Sequence, residues 1–236
     1  MDSLIGKRLS LRYDGGGNDR MGKPKGKVKI AWSPNFAYAI GLMVTDGNLS
    51  PDGRHLAFVS NDLEQIKNFQ RALGISCLVS RKQSGFKSKK QAYVVQFGDV
   101  LFYRFLLKIG LMPNKSKVIA DVHIPDAYYF DFIRGLFDGD GHSYSYLDPR
   151  WKSSFMFYIG FSSASRAHTD WLRNSLEKKT GLKGHVTIAN RCYQLKYAKN
   201  EALGLVGRMY YEPNVLCLNR KHLKILKVLS ILGEQI

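Results

Sequence analysis

At 236 residues, 44% of them hydrophobic, the chain has ample apolar material for a packed core in one large or two small domains. Its 36 lysines and arginines face 19 aspartates and glutamates, giving a formal charge of +17 and a sequence pI near 9.8, an excess that points to a polyanionic partner. A membrane-spanning chain is excluded, because the longest apolar run, VLFYRFLLKIGL, is broken by Arg104 and Lys108 well short of the roughly 20 residues a span needs.

Residues 1–32 carry eight Lys or Arg against three Asp, with three glycines at 15–17, and read as a mobile basic arm. No apolar signal segment opens them. Ser33 followed by Pro34 marks a helix start, and Ala37, Ile40, Gly41 and Val44 continue it at helical spacing to about Thr45, where Gly47 stops it. Turn residues then lead to a strand near 56–60. Asp62 caps a helix bearing Leu63, Ile66, Phe69 and Leu73, ended by Gly74. Strands at 77–82 and 91–97 flank a basic loop, and a short helix over 99–109 closes this half.

The order then restarts. Ile124 and Pro125 lead into a helix ending in FIRGLFDGDG (132–141); strands near 143–147 and 155–162 follow, then a helix over 166–180 ended by Gly181. Strands at 184–189 and 192–197 and helices near 200–209 and 221–232 complete it. Sliding the chain by 94 positions lays AIGLMVTDG (39–47) over IRGLFDGDG (133–141), matching Gly41 to Gly135, Leu42 to Leu136, Asp46 to Asp140 and Gly47 to Gly141. An offset of 100 lays AYVVQFGD over CYQLKYAK, with Tyr93, Val95 and Phe97 against Tyr193, Leu195 and Tyr197. A period this long predicts a duplicated domain with pseudo-twofold symmetry, in halves 33–121 and 122–236.

Glycine in a helix interior costs about 1 kcal/mol relative to alanine, so Gly41 and Gly135 imply a close approach that offsets it. If the two repeated helices pack through these residues, Asp46 and Asp140 meet at their C-termini, where the helix dipole is already negative. A hard divalent cation with oxygen ligands relieves that repulsion, and near a polyanion the pair suggests metal-assisted phosphodiester hydrolysis. The plainer reading of each Asp-Gly is a turn that ends a helix; its recurrence at matching places favours function. Asp138 faces Val44 in the repeat and is expected to bond locally instead. The three cysteines, Cys77, Cys192 and Cys217, form no CxxC pair and read as small core residues of an intracellular, reducing compartment, a prokaryotic cytoplasm or an organelle.

These motifs resemble the LAGLIDADG homing endonucleases in their single-chain, two-motif form, over nearly the whole chain after residue 32. GLMPNKSK (110–117) and VLCLNRKH (215–222) also resemble that family's segments after the second strand pair. The resemblance implies an α+β fold: two pseudo-symmetric αββαββα halves forming a saddle, the motif helices at the interface and antiparallel sheets lying in the DNA major groove. It also implies a monomeric, intron-encoded enzyme that makes a double-strand break using Mg²⁺ or another divalent cation such as Mn²⁺. By the family's pattern Asp46 and Asp140 are metal-binding catalytic acids, the carbonyls of Thr45 and Gly139 reach metal, and Lys115, Lys117, Arg220 and Lys221 fit the place of the basic residues beside the site. Ile40, Arg134 and Val44 depart from the motif and make the interface asymmetric.

An eight-residue strand spans roughly 26 Å, or about eight base pairs at ~3.4 Å rise. Outward Gln96, Gln194 and Lys196 are therefore base-reading candidates, while Arg54, Arg81, Lys82, Lys90, Arg150, Lys152 and Arg191 suit phosphates or the ends of the site. The halves differ at nearly all these positions, so the expected target is double-stranded DNA without a palindrome. Competing readings are an RNA maturase assisting splicing of its host intron RNA, or a catalytically inactive DNA-binding regulator of the same fold. An intein nuclease is disfavoured by Met1 and by the Glu234-Gln235-Ile236 end, and an unrelated basic RNA-binding protein leaves the paired acids unexplained.

Overall fold

A computed structural model describes residues 26–83, 91–151, 154–189 and 191–234. The first repeat runs α1 (Pro34–Thr45), β1 (Gly47–Leu49), β2 (His55–Ser60), α2 (Leu63–Leu73), β3 (Val79–Gln83), β4 (Gln91–Gly98) and α3 (Val100–Lys108). The second runs α4 (Tyr129–Asp140), β5 (Gly141–Leu147), β6 (Phe155–Ser163), α5 (Arg166–Thr180), β7 (His185–Ala189), β8 (Cys192–Ala198) and α6 (Asn200–Met209), with α7 (Asn219–Leu232) added at the end. Each repeat builds one antiparallel four-stranded sheet, ordered β1-β2-β4-β3 and β5-β6-β8-β7.

Local chemistry sets these boundaries. Ser33 accepts from Phe36 N at 3.1 Å and Pro34 opens α1. Asp62 and Ser165 cap α2 and α5, which end at Gly74 (φ 65°) and Gly181 (φ 76°), left-handed positions that glycine adopts without strain. The turns before α2 and α5 repeat even in detail: Ser60 Oγ accepts from Asp62 N at 3.0 Å, and Ser163 Oγ accepts from Ser165 N at 3.1 Å. Along the strands, Leu56, Phe58, Val95 and Phe97 in one sheet and Phe157, Ile159, Phe161, Leu195 and Tyr197 in the other alternate into the core beneath the helices.

The core runs unbroken through both halves because α1 and α4 lie in its middle, with Ala37 to Met43 and Phe132 to Phe137 almost wholly buried. Residues 1–25 of the expected basic arm fall outside the described residues. Its last residues are docked: Lys27 N and Val28 N both donate to Asp99 Oδ2, at 2.5 and 2.9 Å, Val28 is buried, and Trp32 packs edge-on against Phe36. Among the described residues no helix is long and apolar enough to cross a membrane.

Candidate active site

The two motif helices meet at their glycines. A Cβ added at Gly41 would lie 2.7 Å from Leu136 N and 2.8 Å from Gly135 Cα, and one at Gly135 would lie 3.0 Å from Gly41 Cα and collide with the Tyr38 carbonyl. Backbone therefore rests on backbone, which only glycine permits here. One turn further on, a Cβ at Gly139 would lie 2.6 Å from Thr45 Cβ, so close packing continues to the helix ends.

This approach sets Asp46 beside Asp140. Burial first, and then the charge of Asp140, pushes the Asp46 carboxyl up to about 6, against the pull of Thr45, Lys221 and Lys115. Burial also raises Asp140, opposed by the same two lysines, although the residue as a whole is exposed. Thr45 Oγ1 lies 3.0 Å from the Leu42 carbonyl and 3.2 Å from Asp46 Oδ2.

Of the four basic candidates, two lie close enough to both acids for their charges to act on one another. Lys115 is 5% exposed, and its ammonium donates to the Gly47 carbonyl. Lys221 does the same in the other half, donating to Gly141 O at 2.7 Å, Phe137 O at 2.6 Å and Gly139 O at 3.0 Å. Each lysine thus grips the glycine that follows its half's aspartate, and burial lowers both to about 8 despite the neighbouring carboxylates. Lys117 points to solvent. Arg220 stands on the rim of an open cleft beside Asp46, paired to Asp62 at 2.9 Å.

Asp138 is bonded locally: Oδ2 accepts from Tyr38 OH at 2.8 Å and from Leu218 N at 2.6 Å, while buried Oδ1 has no partner. Burial raises its carboxyl to about 6. Arg134, the residue of α4 least expected in a core, is wholly buried; it donates to Leu216 O, Met209 O and Asp131 Oδ1, tying the 209–218 segment to the motif helix.

Each sheet turns its other face outward. On the first, Gln96 is exposed on β4, level with Ala57 and Asn48. Arg54 folds over Gly98, where a Cβ would meet its Nε at 3.1 Å. Lys82 shares the outward face, but Arg81 lies opposite Tyr93 on the other one. On the second sheet Gln194 and Lys196 face outward from β8. Arg150, at the β5–β6 tip, is held by Asp148 at 3.0 and 3.1 Å, and Arg191 sits exposed in the β7–β8 turn with φ 67°. Lys90 and Lys152 lie outside the described residues. The outward face also carries a group that charge counting passes over. Tyr144 and Tyr158 stack at 4.7 Å, with His142 and Tyr146 parallel beside them. The sequence signal for it is the alternation His142, Tyr144, Tyr146 directly after Gly141.

The chain is similar to the homing endonuclease I-WcaI bound to its DNA recognition sequence, at 14% identity and TM-score 0.55, over 81% of this chain and 86% of that one. It is similar to I-SmaMI bound to an uncleaved DNA target in the presence of calcium ions, at 11% identity and TM-score 0.55, over 86% and 92%. The N-terminal LAGLIDADG domain of DUF199/WhiA matches at 14% identity and TM-score 0.50, over 78% and 85%. The chain has the LAGLIDADG fold. No family model and no curated protein matches its sequence, so the likeness is one of architecture. In LAGLIDADG terms α1 and α4 are the two motif helices, and the closing Asp-Gly of each motif is the helix end described above. Among the described residues no cluster of three or more His, Cys, Asp or Glu occurs. The acids at the centre are a pair.

Proposed function

We propose that this LAGLIDADG chain is a site-specific endonuclease that cuts both strands of a long, non-palindromic DNA site by divalent-metal-dependent phosphodiester hydrolysis, acting as a monomer from halves 33–121 and 122–236 in a reducing compartment. The observation that carries the reading is the pair Asp46 and Asp140, held at two helix C-termini with buried Lys115 and partly buried Lys221 on the glycines that follow them.

The donor set fits Mg²⁺ or Mn²⁺: two carboxylates that repel each other, the carbonyls of Thr45 and Gly139, and room for water and phosphate oxygens. Gly139 O already accepts from Lys221, so its second lone pair is the one available. When bound, the cation polarises the phosphoryl oxygens and lowers the pKa of its water. The chain's own residues do the rest. Asp46 and Asp140 carry the negative charge that binds the cation and must both be unprotonated to do so. Lys115 and Lys221 hold the glycine turns and supply positive charge next to the scissile phosphates. Arg220, on the cleft rim, can leave Asp62 for a phosphate oxygen. Lys117 is left to contact the DNA backbone.

The outward faces carry Gln96, Gln194 and Lys196 to base edges; Arg54, Lys82, Arg150 and Arg191 suit phosphates, to which the charges of Lys90 and Lys152 add, while Arg81, turned to the other face of β3, is not among them; the arm 1–32 adds charge that speeds encounter. Incubating the protein with a randomised plasmid library in Mg²⁺ and sequencing the linear products tests this. One recurring, non-palindromic break site is the expected result. Specific binding without any break would instead favour the maturase or regulator reading.

A further inference from the structure

The outward faces of the two sheets differ in chemistry position by position. On the first, register aligns Asn48, Ala57 and Gln96 across β1, β2 and β4, so two exposed carboxamides stand on either side of a nearly buried alanine. Two strand spacings separate them, about 10 Å. On the second, register aligns Tyr144 with Tyr158 and Tyr146 with Met156. The three tyrosine rings brace one another at 4.7, 6.2 and 6.4 Å with planes within 10°. His142 lies over Gly160, where a Cβ would meet its ring. Among the described residues the tyrosine row itself holds no fixed charge, and Lys196 stands at its end, opposite Gly160.

A carboxamide can accept from adenine N6 and donate to adenine N7 at once, while stacked tyrosines turn ring edges to the thymine methyl and hydroxyls that can donate to thymine O4. Cross-strand stacking also fixes the rings in advance, so little side-chain freedom is lost when they contact a groove. We propose that the two halves read unlike half-sites: Asn48 and Gln96 select adenines under the first sheet, and Tyr144, Tyr146 and Tyr158 select thymine methyls under the second. This rests on the reading of the chain as a binder of duplex DNA, and it adds base contacts that neither charge nor the motif indicates.

The test is selection of bound duplexes from a random library in Ca²⁺, so that cleavage plays no part, using wild type, the pair Asn48→Ala and Gln96→Ala, and Tyr144→Ala. These are surface positions, and unchanged melting temperatures confirm that the variants fold. Wild type should select adenines in one half-site, up to about three base pairs apart at ~3.4 Å rise, and thymines in the other. The carboxamide variant should bind the selected site about tenfold or more weakly and lose the adenine preference alone. Replacing the selected thymines by deoxyuridine should weaken wild type several-fold and Tyr144→Ala less. Specific binding with no adenine or thymine preference, or with preferences that the substitutions leave intact, overturns the assignment while sparing the DNA reading. Failure to select any duplex overturns the DNA reading and the assignment with it.

Discussion

Replacing Gly41 by alanine tests the contact that brings the two acids together. Alanine is about 1 kcal/mol more favourable than glycine inside a helix. The new methyl, however, would lie 2.7 Å from Leu136 N and 2.8 Å from Gly135 Cα, and nearer still to the Phe132 carbonyl. Ordinary contact is about 3.5–4.0 Å, so the helices must part by roughly 1 Å. All three obstacles are backbone atoms, which no change of rotamer can move. Overpacking costs about 1–3 kcal/mol; taking the upper end and subtracting the propensity gain leaves a net loss of about 2 kcal/mol. For a chain of this size that lowers Tm by roughly 4–8 °C. Gly204→Ala in α6 is the control, since its new methyl meets only the Arg208 guanidinium at 3.4 Å and Leu182 methyls beyond it; it should stabilise by about 0.5–1 kcal/mol. Thermal and urea unfolding of both variants without cation measures the difference. If Gly41→Ala matches wild type or gains stability as Gly204→Ala does, α1 and α4 do not touch as described.

Other predictions concern charge. Without cation, the raised Asp46 carboxyl holds its proton more tightly folded than unfolded, so its contribution to stability is present below about 3.8 and is lost as pH rises through about 6. A divalent cation competes with that proton, so the Tm gain from Mg²⁺ or Ca²⁺ should be small at pH 5 and large at pH 7.5, and absent at both in Asp46→Asn; equal gains at the two pH values in wild type would contradict the assignment. Arg134→Met leaves Asp131 in the core without its ion partner and with only the Tyr211 hydroxyl donating to it, since the pair's side chains are 1% and 4% exposed, and should cost about 3–5 kcal/mol by denaturant unfolding. Tyr38→Phe removes one of two donors to Asp138 Oδ2 and should cost about 1–3 kcal/mol, with the loss shrinking below pH 6 where Asp138 protonates. A loss that is the same at pH 5 and pH 7.5 would mean that Asp138 is already neutral.

Most of the fold was legible because its signals are local. Ser165 and Gly181 mark α5 to the residue, and the glycine pair in the repeated motif announces a helix contact that the structure then displays. The misplacements have physical causes. A short 3₁₀ turn over 126–128 delays α4 until Tyr129, and β1 is only three residues long, so neither gives a periodic pattern. β5 begins at Gly141 rather than 143, because the chain leaves the helix straight into the strand where a Cβ would strike Phe137. The aromatic row from His142 carries no fixed charge, and it forms only when β5 and β6 pair Tyr144 with Tyr158. Among the basic candidates, sequence place alone could not separate Lys115 from Lys117, or Lys221 from Arg220. The difference is burial, set by a 3₁₀ turn over 115–117 and by the way α7 lies along β5, where Lys224 also donates to Ser143 O. Arg81 and Lys82 were grouped by charge, yet strand alternation sends them to opposite faces.

We propose that Asp46 and Asp140 together make this fold a metal-dependent nuclease. Single-turnover cleavage of the library-selected duplex, run beside a binding measurement, tests it most directly. Wild type should break both strands in Mg²⁺ and neither in chelator, while Asp46→Asn and Asp140→Asn should bind the duplex as tightly and leave it intact. Wild-type protein that binds the duplex specifically in Mg²⁺ and in Mn²⁺ but never cuts it, or either variant cutting at the wild-type rate, would contradict the claim.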